Sequence, residues 1–196
     1  MTEAEFIMNL LMIRHGEIPS NVKKIYAGKS AERLTDEGML QAEQVARKLK
    51  SRDVHLIYSS PIQRALQTAK IIRKELGLEL IVEPAFREME MGPWEGLSES
   101  RVAEMYHEEW EIWQTRPADL NLPERETLGH ILERVLTGVQ NIKVDIADQN
   151  VVIVTHVAII RVLLLWHAKK NLNLYKTIHV PNAEIFQIRI SSFRGR

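Results

Sequence analysis

The sequence predicts an α/β fold of three layers, in which helices cover both faces of a mainly parallel central sheet. Short apolar runs typical of buried strands alternate with longer segments whose apolar residues recur at helical spacing. The chain has 196 residues, of which 45% are hydrophobic and 27% charged, as in an ordinary globular domain. We therefore expect a single domain over residues 1–196, with an inserted lid at residues 83–125.

The first strand and helix are predicted from an apolar run and a capping residue. Ile7–Ile13 is a continuous apolar run, as in a strand buried on both faces. Thr35 has the side chain of a helix N-cap, and two acidic residues follow it, where the helix dipole favours negative charge. The apolar face of this helix comprises Ala42, Val45, Ala46 and Leu49.

The second strand and helix follow directly, and a third strand comes after them. Val54–Tyr58 is the strand, and Ser60-Pro61 has the pattern of an N-cap followed by proline at the first helical position. Gly77 suits the end of this helix, and Leu78–Val82 is the third strand. The predicted buried face of the helix comprises Ile62, Ala65, Leu66, Ala69 and Leu76.

The segment 83–125 differs in composition from the rest of the chain. It holds four of the seven prolines and a cluster of aromatic residues. Its tryptophan and tyrosine residues are Trp94, Tyr106, Trp110 and Trp113. We expect a lid here, in which the tryptophans pack into the core rather than against substrate.

The remaining elements continue the alternation. A long helix is predicted first, then a buried strand at Val151–Thr155, a helix at Ala158–His167 and a last strand at Glu184–Ile190. The apolar face of the long helix comprises Leu128, Ile131, Leu132, Val135, Val139, Ile142 and Ile146.

Composition excludes several classes of function. The formal net charge is 0, which argues against a nucleic-acid binder. The chain has no cysteine, so disulfides, thiolate catalysis and cysteine-ligated metals are excluded, and a cytoplasmic location is expected. No apolar run reaches the roughly 20 residues of a spanning helix, and the acidic first residues do not suit a signal peptide, so we expect no membrane association. The sequence leaves open whether the chain forms a homodimer through exposed apolar residues.

Unusual polar residues follow three of the predicted strands. Arg14 and His15 follow the first strand, Arg64 lies one turn into the helix after the second, and His156 follows the strand ending at Thr155. The carboxyl ends of parallel strands meet at one edge of a sheet, so these side chains should converge. Guanidinium groups bind phosphate oxygens, and a neutral imidazole is a competent nucleophile. The sequence therefore predicts a phosphate-transfer site, with Glu88 as a candidate acid that burial would keep protonated.

Four segments resemble the signature of the histidine phosphatase superfamily, in its phosphoglycerate mutase-like branch. The first segment is Leu11–Glu17 together with Asn21, and the second is Ser59–Ala69. The third is Arg87-Glu88 followed by Gly92–Gly96, and the fourth is Val154-Thr155-His156. The segments follow the family's order, which makes the resemblance far more specific than one Arg-His-Gly triplet.

The resemblance implies a role for each matched residue. His15 would be the phosphorylated nucleophile, Arg14, Arg64 and His156 would hold the phosphoryl group, and Glu88 would be the acid and then the base. Asn21 would contact the phosphate or the substrate. The resemblance implies neither a metal nor another cofactor.

Two residues depart from the family pattern. Ile18 stands where many members have threonine, and Val157 stands where glycine is common. The backbone N–H of Val157 would still bind phosphate. Its side chain would narrow the pocket. We therefore expect the two departures to affect which substrate is bound rather than the reaction that is catalysed.

The expected function is metal-independent hydrolysis of a small phosphorylated metabolite through a phosphohistidine. Among substrates, α-ribazole phosphate is favoured on length and general resemblance, with a broad substrate range as the alternative. A phosphoglycerate mutase is the alternative within the family. A non-catalytic module that binds a phospho-ligand is the alternative of another class. A metal hydrolase built from His15, Glu17 and His156 lacks a closely spaced ligand pair.

Overall fold

The structure, a computed structural model, describes residues 6–143 and 148–192 and has a twisted sheet at its centre. Its strands are β1 (Phe6–Arg14), β2 (Val54–Ser59), β3 (Leu80–Val82), β4 (Gln149–Thr155) and β5 (Ile185–Ser192). They lie in the order β3-β2-β4-β1-β5. The first four are parallel, and β5 pairs antiparallel with β1 at one edge. The expectation of a mainly parallel sheet is confirmed.

Helices cover both faces of the sheet, so the three-layer prediction is also confirmed. They are α1 (Pro19–Val22), α2 (Asp36–Leu49), α3 (Gln63–Leu76), α4 (Glu99–Met105), α5 (His107–Thr115), α6 (Leu128–Gln140) and α7 (Val157–His167). Alternate residues of β1 point to opposite faces. Leu11 and Ile13 pack with α2 and α3, whereas Leu10 and Met12 pack with α6 and α7.

The helix boundaries agree with the sequence prediction at α2 and differ at α3. The Thr35 hydroxyl accepts a hydrogen bond from the Gly38 N–H (3.0 Å), as predicted for the cap of α2. Helix α3 begins at Gln63 rather than at Pro61. The reason is that Ser60 extends the sheet, because its N–H donates to the Val154 carbonyl (3.0 Å). Its hydroxyl oxygen accepts a hydrogen bond from the Ile62 N–H (3.1 Å) and also contacts His156, as described below.

The predicted long helix is shorter than expected. Helix α6 ends at Gln140, and Ile142 is buried just beyond that end. Ile146, which we placed on its apolar face, lies outside the described residues.

The segment 83–125 packs onto the sheet face that carries α6 and α7. It contains α4, α5 and three short 3-10 turns at Pro84–Phe86, Gly92–Trp94 and Pro117–Asp119. Trp94 is fully buried at its centre, with the Trp113 and Trp110 rings 6.2 Å and 6.3 Å away. Burial of Trp94 agrees with core packing. That this segment acts as a lid stays a prediction. In the described part of the chain no helix is both long and apolar enough to cross a membrane.

The loop after β1 packs directly on the first turn of α2, through two glycines. A Cβ on Gly38 would overlap the Glu17 carbonyl oxygen, and a Cβ on Gly16 would overlap the Gly38 carbonyl. Gly38→Ala should therefore lower the free energy of unfolding by about 1–3 kcal/mol, although alanine favours helices. Gly129→Ala in α6 is the matched control, because its Cβ would meet only Thr127 Oγ1 at 3.8 Å. Urea denaturation should show this control to be neutral or slightly stabilising. Equal changes in the free energy of unfolding for the two substitutions would contradict the close packing of Gly38 against the loop after β1.

Candidate active site

Three strand ends meet at one edge of the sheet because β4 lies between β1 and β2. The His15 N–H donates to the Thr155 carbonyl (3.0 Å), and the Ser60 N–H donates to the Val154 carbonyl (3.0 Å). These bonds continue the ladders by one residue beyond each strand. They bring the residues that follow β1, β2 and β4 side by side, as the strand-end argument predicted.

His15 is buried, with 3% of its surface exposed, and both ring nitrogens have partners. Nδ1 lies 2.7 Å from the Gly16 carbonyl oxygen, and Nε2 lies 3.1 Å from Arg64 Nε. A carbonyl oxygen only accepts hydrogen bonds and a guanidinium only donates them. The two contacts therefore assign the proton to Nδ1 and leave a lone pair on Nε2.

Arg64 is held rigidly beside that lone pair. Its side chain is 1% exposed, and its other nitrogens donate to the carbonyls of Gly28 (2.8 Å) and Ser30 (3.2 Å). Thr68, one turn further along α3, accepts from the Gly16 N–H (3.0 Å) and so ties the loop of His15 to the same helix. The fork of Arg64 is thus oriented before any ligand arrives.

Two buried nitrogen atoms next to His15 have no protein partner. The His156 ring lies 5.2 Å from that of His15, and its Nε2 is 2.7 Å from Ser60 Oγ. His156 Nδ1 is buried without a partner, and so is Arg14 Nε, although Arg14 also donates to the Val180 carbonyl (2.6 Å). Buried polar atoms are normally paired, so unpaired nitrogens beside two arginines favour a site for an anion.

Both histidines are kept neutral by their surroundings. Burial lowers the pKa of His15 well below its ordinary value, and the positive charges of Arg64 and Arg14 lower it further. Burial likewise lowers the pKa of His156, again with Arg64 as the main charged neighbour. Burial lowers the pKa of Arg14 to about 10, which still leaves it charged at neutral pH. The site therefore presents neutral imidazoles between permanent cations.

These pKa shifts predict a loss of stability in mild acid. The unfolded chain binds protons at His15 and His156 below pH 6.5, where the folded chain does not. Stability should therefore be fully present above pH 6.5 and fall as the pH drops below it, by roughly 1.4 kcal/mol per pH unit for each histidine. Urea denaturation at pH 7.5, 6.5 and 5.5 measures this slope. The double variant His15→Asn/His156→Gln should show a smaller change of stability with pH than the unchanged protein. An equal slope in the variant and the unchanged protein would contradict the conclusion that both histidines are neutral in the folded chain.

The other predicted site residues line one cavity with His15, with a volume of about 680 Å³. Glu88 is only partly buried, and its carboxylate accepts from the Met89 N–H (2.9 Å). Asn21 Oδ1 accepts from the Ile18 N–H (3.2 Å), so Asn21 shapes the turn at α1 as well as lining the cavity. Val157, the first residue of α7, also lines it.

Two other residues named in the sequence analysis lie away from the cavity lining. Ile18 is fully buried in a small cluster with Leu34 and Ala42, so its side chain does not shape the pocket. The Glu17 carboxylate accepts from the Thr35 hydroxyl (2.8 Å) at the start of α2, and the metal site of His15, Glu17 and His156 is not formed. No cluster of His, Asp and Glu fit to hold a metal ion occurs in residues 6–143 and 148–192.

Sequence reasoning missed several residues at the site. His179 and Asn182 both line the cavity. Asn182 Nδ2 donates to the His15 carbonyl (2.9 Å) and to Asn21 Oδ1 (2.9 Å). Ser60 was predicted as a helix cap, and its contact with His156 was not foreseen. His179 and Asn182 lie between α7 and β5, where no periodic pattern marks them.

Comparisons with known proteins show the family and the fold of the chain. The model of the histidine phosphatase superfamily (branch 1) matches residues 10–196. Phosphoserine phosphatase 1 of Hydrogenobacter thermophilus is 29% identical over 157 residues, which cover 80% of this chain and 74% of that protein. The structure of mycobacterial glucosyl-3-phosphoglycerate phosphatase with VO3 superposes with a TM-score of 0.80 at 26% identity, covering 91% of this chain and 90% of that one. Bacillus stearothermophilus YhfR, at 24% identity, has the same fold, with a TM-score of 0.87 over 95% of this chain and 94% of its own.

Proposed function

The chain belongs to the histidine phosphatase superfamily and is a phosphatase, and we propose that it hydrolyses small phosphate monoesters through a phosphohistidine at His15, without a metal. The observation that carries the proposal is the tautomer of His15. Its Nδ1 proton is held by the Gly16 carbonyl, so the Nε2 lone pair faces the side where Arg64 donates. The Nε2 lone pair accepts a hydrogen bond from Arg64, and the neutral imidazole can attack a bound phosphoryl group once the phosphoryl oxygens take over that donor.

The phosphoryl group would be held by the charged and unpaired donors around Nε2. Arg14 and Arg64 would bind its oxygens, and His156 would donate to it from Nδ1, which has no protein partner. The Val157 N–H, at the start of α7, and Asn21 would complete the pocket. These donors act on the charge that builds up on the transferring group, which is how preorganised sites lower barriers.

The reaction would proceed in two balanced steps. His15 Nε2 forms a bond to phosphorus while the bond from phosphorus to the ester oxygen breaks, and Glu88 gives its proton to the departing alcohol. Glu88, now ionised, then takes a proton from water, whose oxygen attacks the same phosphorus. The bond from phosphorus to His15 breaks, phosphate leaves, and Glu88 is protonated again.

The role of Glu88 predicts a dependence on the leaving group. An alkyl alcohol needs a proton to depart, whereas p-nitrophenolate leaves without one. Glu88→Gln should therefore lower kcat/KM, which reports the step in which the alcohol departs, by about 10²–10⁴-fold for glycerol 3-phosphate and considerably less for p-nitrophenyl phosphate. Glu83→Gln, at the start of the same segment, is the matched control. A Glu88→Gln enzyme with equal losses on both esters would rule out Glu88 as the acid.

The direct test of the function is release of phosphate from p-nitrophenyl phosphate with a chelator present. We expect turnover to persist in the chelator, and a panel of α-ribazole phosphate, phosphoserine and other esters would then define the substrate. Loss of activity in the chelator would contradict metal independence. Interconversion of phosphoglycerate isomers without phosphate release would identify a mutase, and ligand binding without any turnover would identify a binding module.

A further inference from the structure

A second group of cations lines the active-site cavity beyond the residues assigned to the phosphoryl group. Arg161 of α7 donates through Nε to the Ile178 carbonyl (2.8 Å), and its guanidinium lies 4.8 Å from the centre of the Tyr175 ring. Lys176 donates to Gln114 Oε1 (2.8 Å) and lies 5.0 Å from the centre of the Trp110 ring. Both side chains are held by neutral partners and face the cavity.

These cations have no carboxylate partner, unlike other basic residues of the protein. Arg134 pairs with Glu126 (2.7 Å), and Arg101 pairs with Glu104 (2.7 Å). Among the described residues, neither Arg161 nor Lys176 forms an ion pair with an acidic side chain. Cations that stack on aromatic rings keep their charge available to a ligand.

The charge around the cavity exceeds what a phosphoryl group needs. Basic side chains at the cavity are Arg14, Arg64, Arg161, Lys24 and Lys176, and acidic ones are Glu88 and Glu99. Arg125 adds a further positive charge next to a lining residue, because its guanidinium lies 4.3 Å from the centre of the Trp113 ring. Arg14 and Arg64 suffice for a phosphoryl group, so the positive charge of Arg161 and Lys176 is left in excess, offset in part by Glu99, which lies near Lys176 without forming an ion pair with it.

We propose that the substrate carries a second anionic group, a carboxylate or a phosphate, on its alcohol portion, and that Arg161 and Lys176 bind it. This inference rests on the proposed function, because it places the phosphoryl group at His15. Tyr175 and Trp113, which also line the cavity, would contact the organic portion between the two anions. Arg14, Arg161 and Lys176 line one cavity of about 680 Å³, so the two anionic groups would belong to one small molecule.

Two matched pairs of esters test the proposal. 3-Phosphoglycerate and glycerol 3-phosphate differ by a carboxylate in place of a hydroxymethyl group, and fructose 1,6-bisphosphate and fructose 6-phosphate differ by one phosphate. We expect kcat/KM to be at least about tenfold higher for the more anionic member of one pair, and the responsive pair identifies the group. Lys176→Met and Arg161→Gln should reduce this ratio at least several-fold. Lys70→Met, on the exposed face of α3, is the control that should leave it unchanged.

Binding to the inactive variant separates the proposal from the chemistry. Calorimetry with His15→Ala should show tighter binding of the more anionic member of the responsive pair, and this preference should shrink when Lys176→Met is added. If the two members of each pair had nearly equal kcat/KM values, or nearly equal affinities for the inactive variant, the proposal of a second anion site would be wrong. The proposed function would survive that result if p-nitrophenyl phosphate were still hydrolysed. A binding preference without turnover of any ester would overturn the function and leave the second site intact.

Discussion

Replacing His15 by alanine is expected to lower kcat for phosphate-ester hydrolysis by at least about 10⁴-fold, because the variant lacks the atom that accepts the phosphoryl group. The ring is almost fully buried and its Nε2 lone pair faces Arg64. Alanine leaves the arginines in place, so substrate should still bind. The loss should appear in kcat much more than in KM, and steady-state kinetics with p-nitrophenyl phosphate measure both.

A surface histidine provides the control for this substitution. His130 is exposed on α6, so His130→Ala should keep the activity of the unchanged protein. Circular dichroism of His15→Ala should show a folded protein, since a neutral ring rather than a charge is removed. Residual turnover above about one hundredth of the original in a folded His15→Ala protein would exclude His15 as the nucleophile.

Arg64→Lys is expected to lower kcat/KM by about 10²–10³-fold although it retains a positive charge. The guanidinium reaches three partners at once: His15 Nε2 and the carbonyls of Gly28 and Ser30. A lysine ammonium lacks this planar fork and cannot orient His15 and bind phosphoryl oxygens in the same geometry. Buried carbonyls would also lose donors, so we expect the free energy of unfolding to fall by about 1–3 kcal/mol.

Arg73→Lys, on the exposed side of the same helix, is the matched control for Arg64→Lys. It should change neither kcat/KM nor stability. Inhibition by inorganic phosphate gives a second readout, because the inhibition constant should rise in Arg64→Lys and stay constant in the control. An Arg64→Lys enzyme with nearly unchanged kcat/KM would mean that charge alone, rather than the geometry of the fork, matters at this position.

The edge of the sheet at which the site forms could be predicted because the strand ends follow from the apolar pattern and the carboxyl ends of parallel strands meet at one edge. The runs at Ile7–Ile13 and Val151–Thr155 are short and apolar, and they place His15 and His156 at the same edge. This placement follows whatever the exact helix boundaries are. For that reason Arg14, His15, Arg64 and His156 come together in the structure although the start of α3 was placed two residues too early.

The distal part of the cavity could not be predicted because most of its residues come from the connection between α7 and β5 and from the segment 83–125. His179 and Asn182 lie between α7 and β5, and Trp113 comes from the segment 83–125. Their positions depend on packing contacts between distant parts of the chain, which leave no periodic signal. Arg161 is a charged residue in the otherwise apolar helix α7, and its position beside Tyr175 became apparent only from the structure.

The measurement that tests the central claim most directly is trapping of the phosphoenzyme. The protein would be mixed with ³²P-labelled phosphate ester, quenched in alkali within milliseconds and digested, and the labelled peptide would be identified by mass spectrometry. We predict a label that is stable in base and labile in acid, on the peptide that contains His15, and no label in His15→Ala. A label on a different residue, or none while the alcohol is released in a pre-steady-state burst, would contradict a phosphohistidine at His15.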